Sequence, residues 1–353
     1  MNEQSITLNL YEVELSKAAE IIAKDLFSLK PGETVVVTAD TESDPRVVNA
    51  FAQAAFTEGA IPMVVWTASP PGPAGMVDNF LPSQALKGAL LKADCWVEFN
   101  RQYINYSKLM EEVCSKNKKL RYMILPGISV DGLVRLFVTV DQYALRDFVL
   151  AVAEKTAKSS KVRITSALGE DIEFENDPDH PMDAETGFIT EPGITNLNGQ
   201  IAWTPNLDSI NGILVFDGSL VPQIGILNEP VRVYLEKGVI TNVEGGSQAT
   251  EWWAWLRSFN HPQMLRPAHL CYGFHPAARR TGQLGEDERI WGCTEWGFGA
   301  IGSFLVPPHG VYAPSHTDGV TMNSTVWLDG ELVMENGKVI DPELKMLATK
   351  LGK

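Results

Sequence analysis

The chain has 353 residues, with 29 Lys and Arg against 44 Asp and Glu, so its formal charge is −15; 44% of its residues are hydrophobic and 21% charged. That composition excludes a disordered chain and supplies core for two domains or one large one. The acidic excess repels phosphate backbones, and the longest basic cluster is Lys116-Asn117-Lys118-Lys119, which argues against nucleic acid and against an anionic membrane surface as partners.

The first 30 residues carry acids through what would be the apolar centre of a signal peptide, and no uncharged stretch reaches the roughly 18 residues of a membrane span. Cys95, Cys114, Cys271 and Cys293 are far apart and form no CxxC pair, so reduced thiols in a cytoplasmic protein are the expectation. An amphipathic helix is predicted over residues 14–29, stopped by Pro31-Gly32. Then come a β-branched strand at 34–38, a helix at 45–58 with Asp44 as cap and Pro45 in its first turn, and a strand at 61–66. Past the loop Ser69-Pro70-Pro71-Gly72-Pro73, helices at 83–91 and 106–115 alternate with strands at 95–99 and 121–125. This alternation predicts an α/β domain with an open, mostly parallel sheet.

The helix predicted at 142–158 ends in Ser159-Ser160, after which the pattern changes to hairpins: 162–166 with 171–175, 231–235 with 239–243, and 325–328 with 332–334, each around a Gly-containing turn. One helix, at 250–259, carries Trp252, Trp253 and Trp255, read as core rather than as a stacking platform. The expected domains are therefore 1–158, α/β, and 159–353, α+β with a mostly antiparallel sheet that carries the metal site.

All six histidines lie in the second domain, at 180, 261, 269, 275, 309 and 316. In an extended segment residues two apart share a side, so His316 and Asp318 of Ser315-His316-Thr317-Asp318-Gly319 present an imidazole and a carboxylate together. The competing reading is a His–Asp hydrogen bond that fixes a loop. His269, at the head of His269-Leu270-Cys271-Tyr272-Gly273, is available as a third ligand or as a satisfied core histidine. Two neutral histidines and one carboxylate leave three octahedral positions open, which suits Fe(II), whereas a structural zinc takes four closed ligands. The sequence has no GxGxxG, no GxxxxGK[ST] and no Gly-x-Ser-x-Gly elbow, and Cys293 is read as buried and inert.

Three segments, Ser43-Asp44-Pro45-Arg46-Val47-Val48-Asn49-Ala50, His269-Leu270-Cys271-Tyr272-Gly273 and His316-Thr317-Asp318, resemble the bacterial 2,5-dihydroxypyridine 5,6-dioxygenases, relatives of the M29 (aminopeptidase T-type) metallopeptidases. Glu191-Pro192-Gly193, Trp203-Thr204-Pro205-Asn206 and Glu236-Lys237-Gly238-Val239-Ile240-Thr241 extend the likeness in collinear order over about residues 34–330. The resemblance implies a mononuclear Fe(II) on His269, His316 and Asp318. In the peptidases the position of His269 resembles a glutamate, and where they place a ligand histidine this chain reads Gly292-Cys293-Thr294-Glu295-Trp296-Gly297, so the two-metal site is degraded. The dioxygenase pattern also implies histidines after the strand at 95–99 and after Glu-Pro-Gly; here those stretches read Arg101-Gln102-Tyr103-Ile104-Asn105-Tyr106 and Ile194-Thr195-Asn196-Leu197-Asn198.

The expected function is a ring-cleaving, Fe(II)-dependent, extradiol-type dioxygenase that acts on a hydroxylated pyridine or pyridone, 3-hydroxy-4-pyridone in preference to 2,5-dihydroxypyridine. His180, His275, Tyr103 and Tyr106 are the candidate acid–base groups. The expected partners are a small aromatic substrate and O2, with assembly as a homo-oligomer and neither nucleic acid nor membrane. The alternatives are an M29-like metallo-aminopeptidase and a non-catalytic binding protein on the same scaffold.

Overall fold

In the computed structural model, which describes residues 3–353, the β-branched run Thr34–Asp40 is an inner strand of a five-stranded parallel sheet. The strand order is Ile61–Thr67, Thr34–Asp40, Cys95–Glu98, Arg121–Ile124, Gly193–Asn196, parallel at every pairing. The three central strands are buried almost throughout, as a parallel sheet covered on both faces requires.

The helices start where their caps dictate. Asp44 accepts the Arg46 N–H at 3.0 Å ahead of Pro45–Thr57, whose Val47, Val48, Phe51 and Ala55 turn inward. Ser43 holds the preceding loop, accepting the Asp40 N–H at 3.0 Å and donating to the Phe99 carbonyl at 2.9 Å. The helix expected from 106 begins as Lys108–Lys116 because Ser107 is its cap, accepting the Met110 N–H at 3.1 Å. The first helix is longer than expected, running over Glu3–Glu20 and then widening into a π-helical turn, Ile21–Leu26, and Val130–Val138 is a helix that the pattern did not reveal.

Apart from Gly193–Asn196, the strands beyond Gln142 form antiparallel sheets, one of eight strands and one of seven, where a single sheet was expected. The eight-stranded sheet contains the hairpins Lys161–Thr165 with Asp171–Glu175, Val231–Glu236 with Val239–Glu244 and Thr325–Leu328 with Glu331–Glu335. In the seven-stranded sheet, Pro267–Gly273, Cys293–Ile301 and Val311–Thr321 lie side by side, the first two wholly buried. From the helix Ser247–Ser258, Trp252 packs edge-on against Phe216 and Phe298 and donates its indole N–H to Thr317 Oγ1 at 3.2 Å, the core role expected of it.

Contacts divide the chain into two units, one formed by the residues up to Gln142 with Gly187–Asn198, the other by Tyr143–Thr186 with Gly199–Lys353. The boundary drawn from sequence near Ser159 differs in two respects. The helix Gln142–Ala157 packs on the second unit, through Phe148 against Phe274 and Trp291 and through an ion pair between Lys155 and Asp341 at 2.8 Å. The strand Gly193–Asn196 returns to complete the first sheet. No described helix is long and apolar enough to cross a membrane.

Candidate metal centre

The three neighbouring strands are in register such that His269 pairs with Gly297 and Cys271 with Glu295, while Gly297 pairs with Asp318 and Gly299 with His316. Because side chains alternate along a strand, residues 269, 271, 295, 297, 316 and 318 all face one side of the sheet. Gly297, at the centre, has no side chain, and the His269 imidazole lies over it: a Cβ there would fall 2.4 Å from His269 Cε1.

Four donors converge above that glycine. His316 Nε2 is 2.9 Å from Asp318 Oδ1, His269 Nε2 is 3.5 Å from the same oxygen, and His269 Nε2 is 3.3 Å from Glu295 Oε2. The two imidazoles are nearly parallel, at 14° with centroids 5.0 Å apart. Ligand atoms of His269, His316 and Asp318 all lie within 4.8 Å of one another, as do those of His269, Cys271 and Glu295. All five residues are buried, Glu295 completely.

Each imidazole is prepared to be a ligand. His316 Nδ1 lies 2.7 Å from the Ala300 carbonyl, which can only accept, so Nδ1 carries a proton and Nε2 is turned into the cluster, 2.9 Å from Asp318 Oδ1. Burial, reinforced by His316, pushes His269 down to about 3, so it is neutral at ordinary pH. Burial pushes Asp318 up, but the His316 imidazole hydrogen-bonded to it outweighs that, and its net shift is downward, toward the carboxylate. Glu295 moves the other way: burial, then Asp318 and Glu288, raise it well above the usual carboxyl range.

The cluster leaves buried polar atoms unsatisfied. Neither oxygen of Glu295 nor Nδ1 of His269 has a hydrogen-bond partner among the described residues. Buried polar atoms without partners are costly, and a divalent cation at the Glu295 carboxyl would remove that group's share of the cost. Nitrogen and oxygen donors of this kind fit a first-row divalent ion. Behind the cluster, Gln200 Nε2 reaches both Cys271 Sγ and Glu288 Oε2 at 3.5 Å, and Arg289 pairs with Glu288 at 2.8 Å and with Glu185. Asp183, pushed up to about 8 by burial and by Glu185, adds a further acid to this interior.

The structure thus brings His269, His316 and Asp318 together and leaves the acid–base candidates outside that group. His275 is fully buried, its Nδ1 accepting the Ala277 N–H at 3.3 Å. His180 is half-buried, with Nδ1 2.9 Å from the Thr204 carbonyl. Tyr103 and Tyr106 belong to the first unit, packed edge to face, Tyr106 in the left-handed backbone region at φ 63°. Cys293 is buried and its thiol pushed up, consistent with an inert role. Sequence reasoning passed over Glu295 as a donor. Its signal was the alternation Glu295-x-Gly297, but only the strand pairing shows that this alternation faces His269.

Residues 23–341 match the family described as 2,5-dihydroxypyridine 5,6-dioxygenase. The 2,5-dihydroxypyridine 5,6-dioxygenase of Pseudomonas putida KT2440 is 27% identical over 331 residues, 88% of this chain and 92% of that protein. The solved structure of 2,5-dihydroxypyridine dioxygenase from the same organism superposes with a TM-score of 0.77 at 23% identity, covering 94% of this chain and 99% of that one. Wild-type AmpT from Thermus thermophilus shares the fold with a TM-score of 0.66 at 14% identity, covering 94% and 100%. The chain belongs to the 2,5-dihydroxypyridine 5,6-dioxygenase family and is an enzyme of the ring-cleaving dioxygenase type.

Proposed function

We propose that this family member opens a hydroxylated pyridine or pyridone ring with O2, using one Fe(II) ion held by His269, His316 and Asp318. The observation that supports the ligand set is the approach of both imidazole Nε2 atoms to one oxygen of Asp318, at 2.9 and 3.5 Å, in a buried cluster with orphaned acceptors. When bound, such an ion supplies a redox-active Lewis acid with open positions for small ligands. The chain supplies the rest. Ala300 fixes the His316 tautomer, Gly297 leaves room for the His269 ring, and burial keeps bulk water from the donors.

A ring hydroxyl must lose its proton, and His180, His275, Tyr103 and Tyr106 are the proposed acceptors. For the substrate, 3-hydroxy-4-pyridone is proposed over 2,5-dihydroxypyridine, because the stretches 101–106 and 194–198 contain no histidine to read a second, distant hydroxyl. A ring with adjacent oxo and hydroxyl oxygens does not need that partner. Assembly as a homo-oligomer is supported by the exposed apolar residues Phe56, Ile61, Met63 and Trp66 on the edge strand and the helix before it. Free thiols at all four cysteines suit a reducing compartment such as the cytoplasm.

The test is reconstitution with Fe(II) without air, followed by oxygen uptake on both rings and iron retention in His269→Ala, His316→Ala and Asp318→Ala. Loss of iron and of activity in each variant is expected, with kcat/KM higher for the pyridone. Full iron occupancy in His269→Ala overturns the ligand set; a ratio favouring 2,5-dihydroxypyridine overturns the ring choice alone.

A further inference from the structure

Glu295 is as deeply buried as any residue of the cluster, neither of its oxygens makes a hydrogen bond of good geometry, and the groups around it among the described residues are the Cys271 thiol, Asp318, Glu288 and the His269 imidazole, none of them a permanent cation. Arg289, the nearby cation, is engaged by Glu288 and Glu185 instead. Glu295 Oε2 lies 3.3 Å from His269 Nε2. Donors at right angles around one ion, each about 2.1 Å from it, lie about 3 Å apart. Along the path His316, Asp318, His269, Glu295 the successive separations are 2.9, 3.5 and 3.3 Å, all near that value.

Resting on the ligand set proposed above, we infer that Glu295 is a fourth protein ligand of the same ion in the ring-free enzyme. A cation bonded to Oε2 would supply the positive partner that none of these neighbours is. Its place on the central strand, two residues before Gly297, puts it on the side of the sheet that carries the other three donors. Four protein donors leave two of six octahedral positions open. A chelating ring together with O2 would need three, so Glu295 would be the donor to give way.

The test uses no substrate. Mn(II) is bound anaerobically to the unaltered full-length protein, to Glu295→Gln and to His269→Ala; dissociation constants come from equilibrium dialysis, and metal-bound waters are counted by electron-spin-echo spectroscopy in D2O. The expected results are two waters in the unaltered protein, three in Glu295→Gln, and affinity at least tenfold weaker in Glu295→Gln. Three waters in the unaltered protein, or a loss of affinity under tenfold in Glu295→Gln, overturns the inference. The water count on unaltered protein does not depend on how well the variant folds. Undiminished Mn(II) binding by His269→Ala, or none by the unaltered protein, defeats the ligand set itself and is thereby told apart from failure of the Glu295 assignment.

Discussion

Replacing Gly297 with alanine tests whether the cluster depends on a space that only glycine leaves. The new Cβ would lie 2.4 Å from His269 Cε1, 2.7 Å from Nδ1 and 2.9 Å from Nε2. Carbon atoms in contact prefer separations of about 3.5 Å or more, so the ring must move by about 1 Å. The side chains of the cluster are buried, and overpacking of such a core costs about 1–3 kcal/mol. The same displacement carries Nε2 away from Asp318 Oδ1 and Glu295 Oε2, and disturbance of a ligand's setting typically weakens metal binding by about 10–100-fold. The assay is anaerobic Fe(II) or Mn(II) dialysis together with thermal unfolding. Gly88→Ala serves as the control: it sits in the helix Ser83–Leu90 with open space around it, and it should stabilise by about 0.4–1 kcal/mol without touching metal affinity. Metal affinity in Gly297→Ala within threefold of the unaltered protein would refute the idea that the glycine makes the site.

Three further predictions concern residues other than the proposed ligands. Glu98 is wholly buried beside Tyr122 and pushed up to about 8, chiefly by burial. Its folded form therefore holds a proton that the unfolded chain releases near 4.5, and its contribution to stability declines as pH rises from about 4.5 to 8, by at most about 1.4 kcal/mol per unit. Glu98→Gln, which imitates the protonated acid, should flatten that decline in urea unfolding, and a stability difference between the two proteins that stays constant from pH 5 to 8 would contradict this. Arg289→Met removes the cation that pairs with the buried Glu185 and Glu288 and, above the value of about 8 to which burial pushes Glu288, should destabilise the second unit by about 3–5 kcal/mol; a loss below about 1 kcal/mol at about pH 9 would contradict this. Asp44→Ala removes a helix cap and should cost about 1 kcal/mol, and an unchanged unfolding midpoint would show that the cap is dispensable.

Features that depend on neighbours along the chain were legible in the sequence. The β/α alternation up to residue 125, the Asp44-Pro45 helix start and the turn-bounded hairpins follow from periodicity and capping, which act within a few residues. So does the shared face of His316 and Asp318, because two residues along a strand is a local distance. That His269 joins them came from its residue type and from a family likeness, since nothing local connects it to Asp318. What the tertiary structure alone decided is which strands lie side by side and in what register. That pairing sets Gly297 between His269 and Asp318, brings Glu295 to the same cluster and returns Gly193–Asn196 to the first sheet. Strand pairing is made by backbone hydrogen bonds that any sequence can form, and a one-residue slip would turn every side chain to the other face. Its choice is therefore fixed only when the whole core packs, and with it the side of the sheet on which these donors meet.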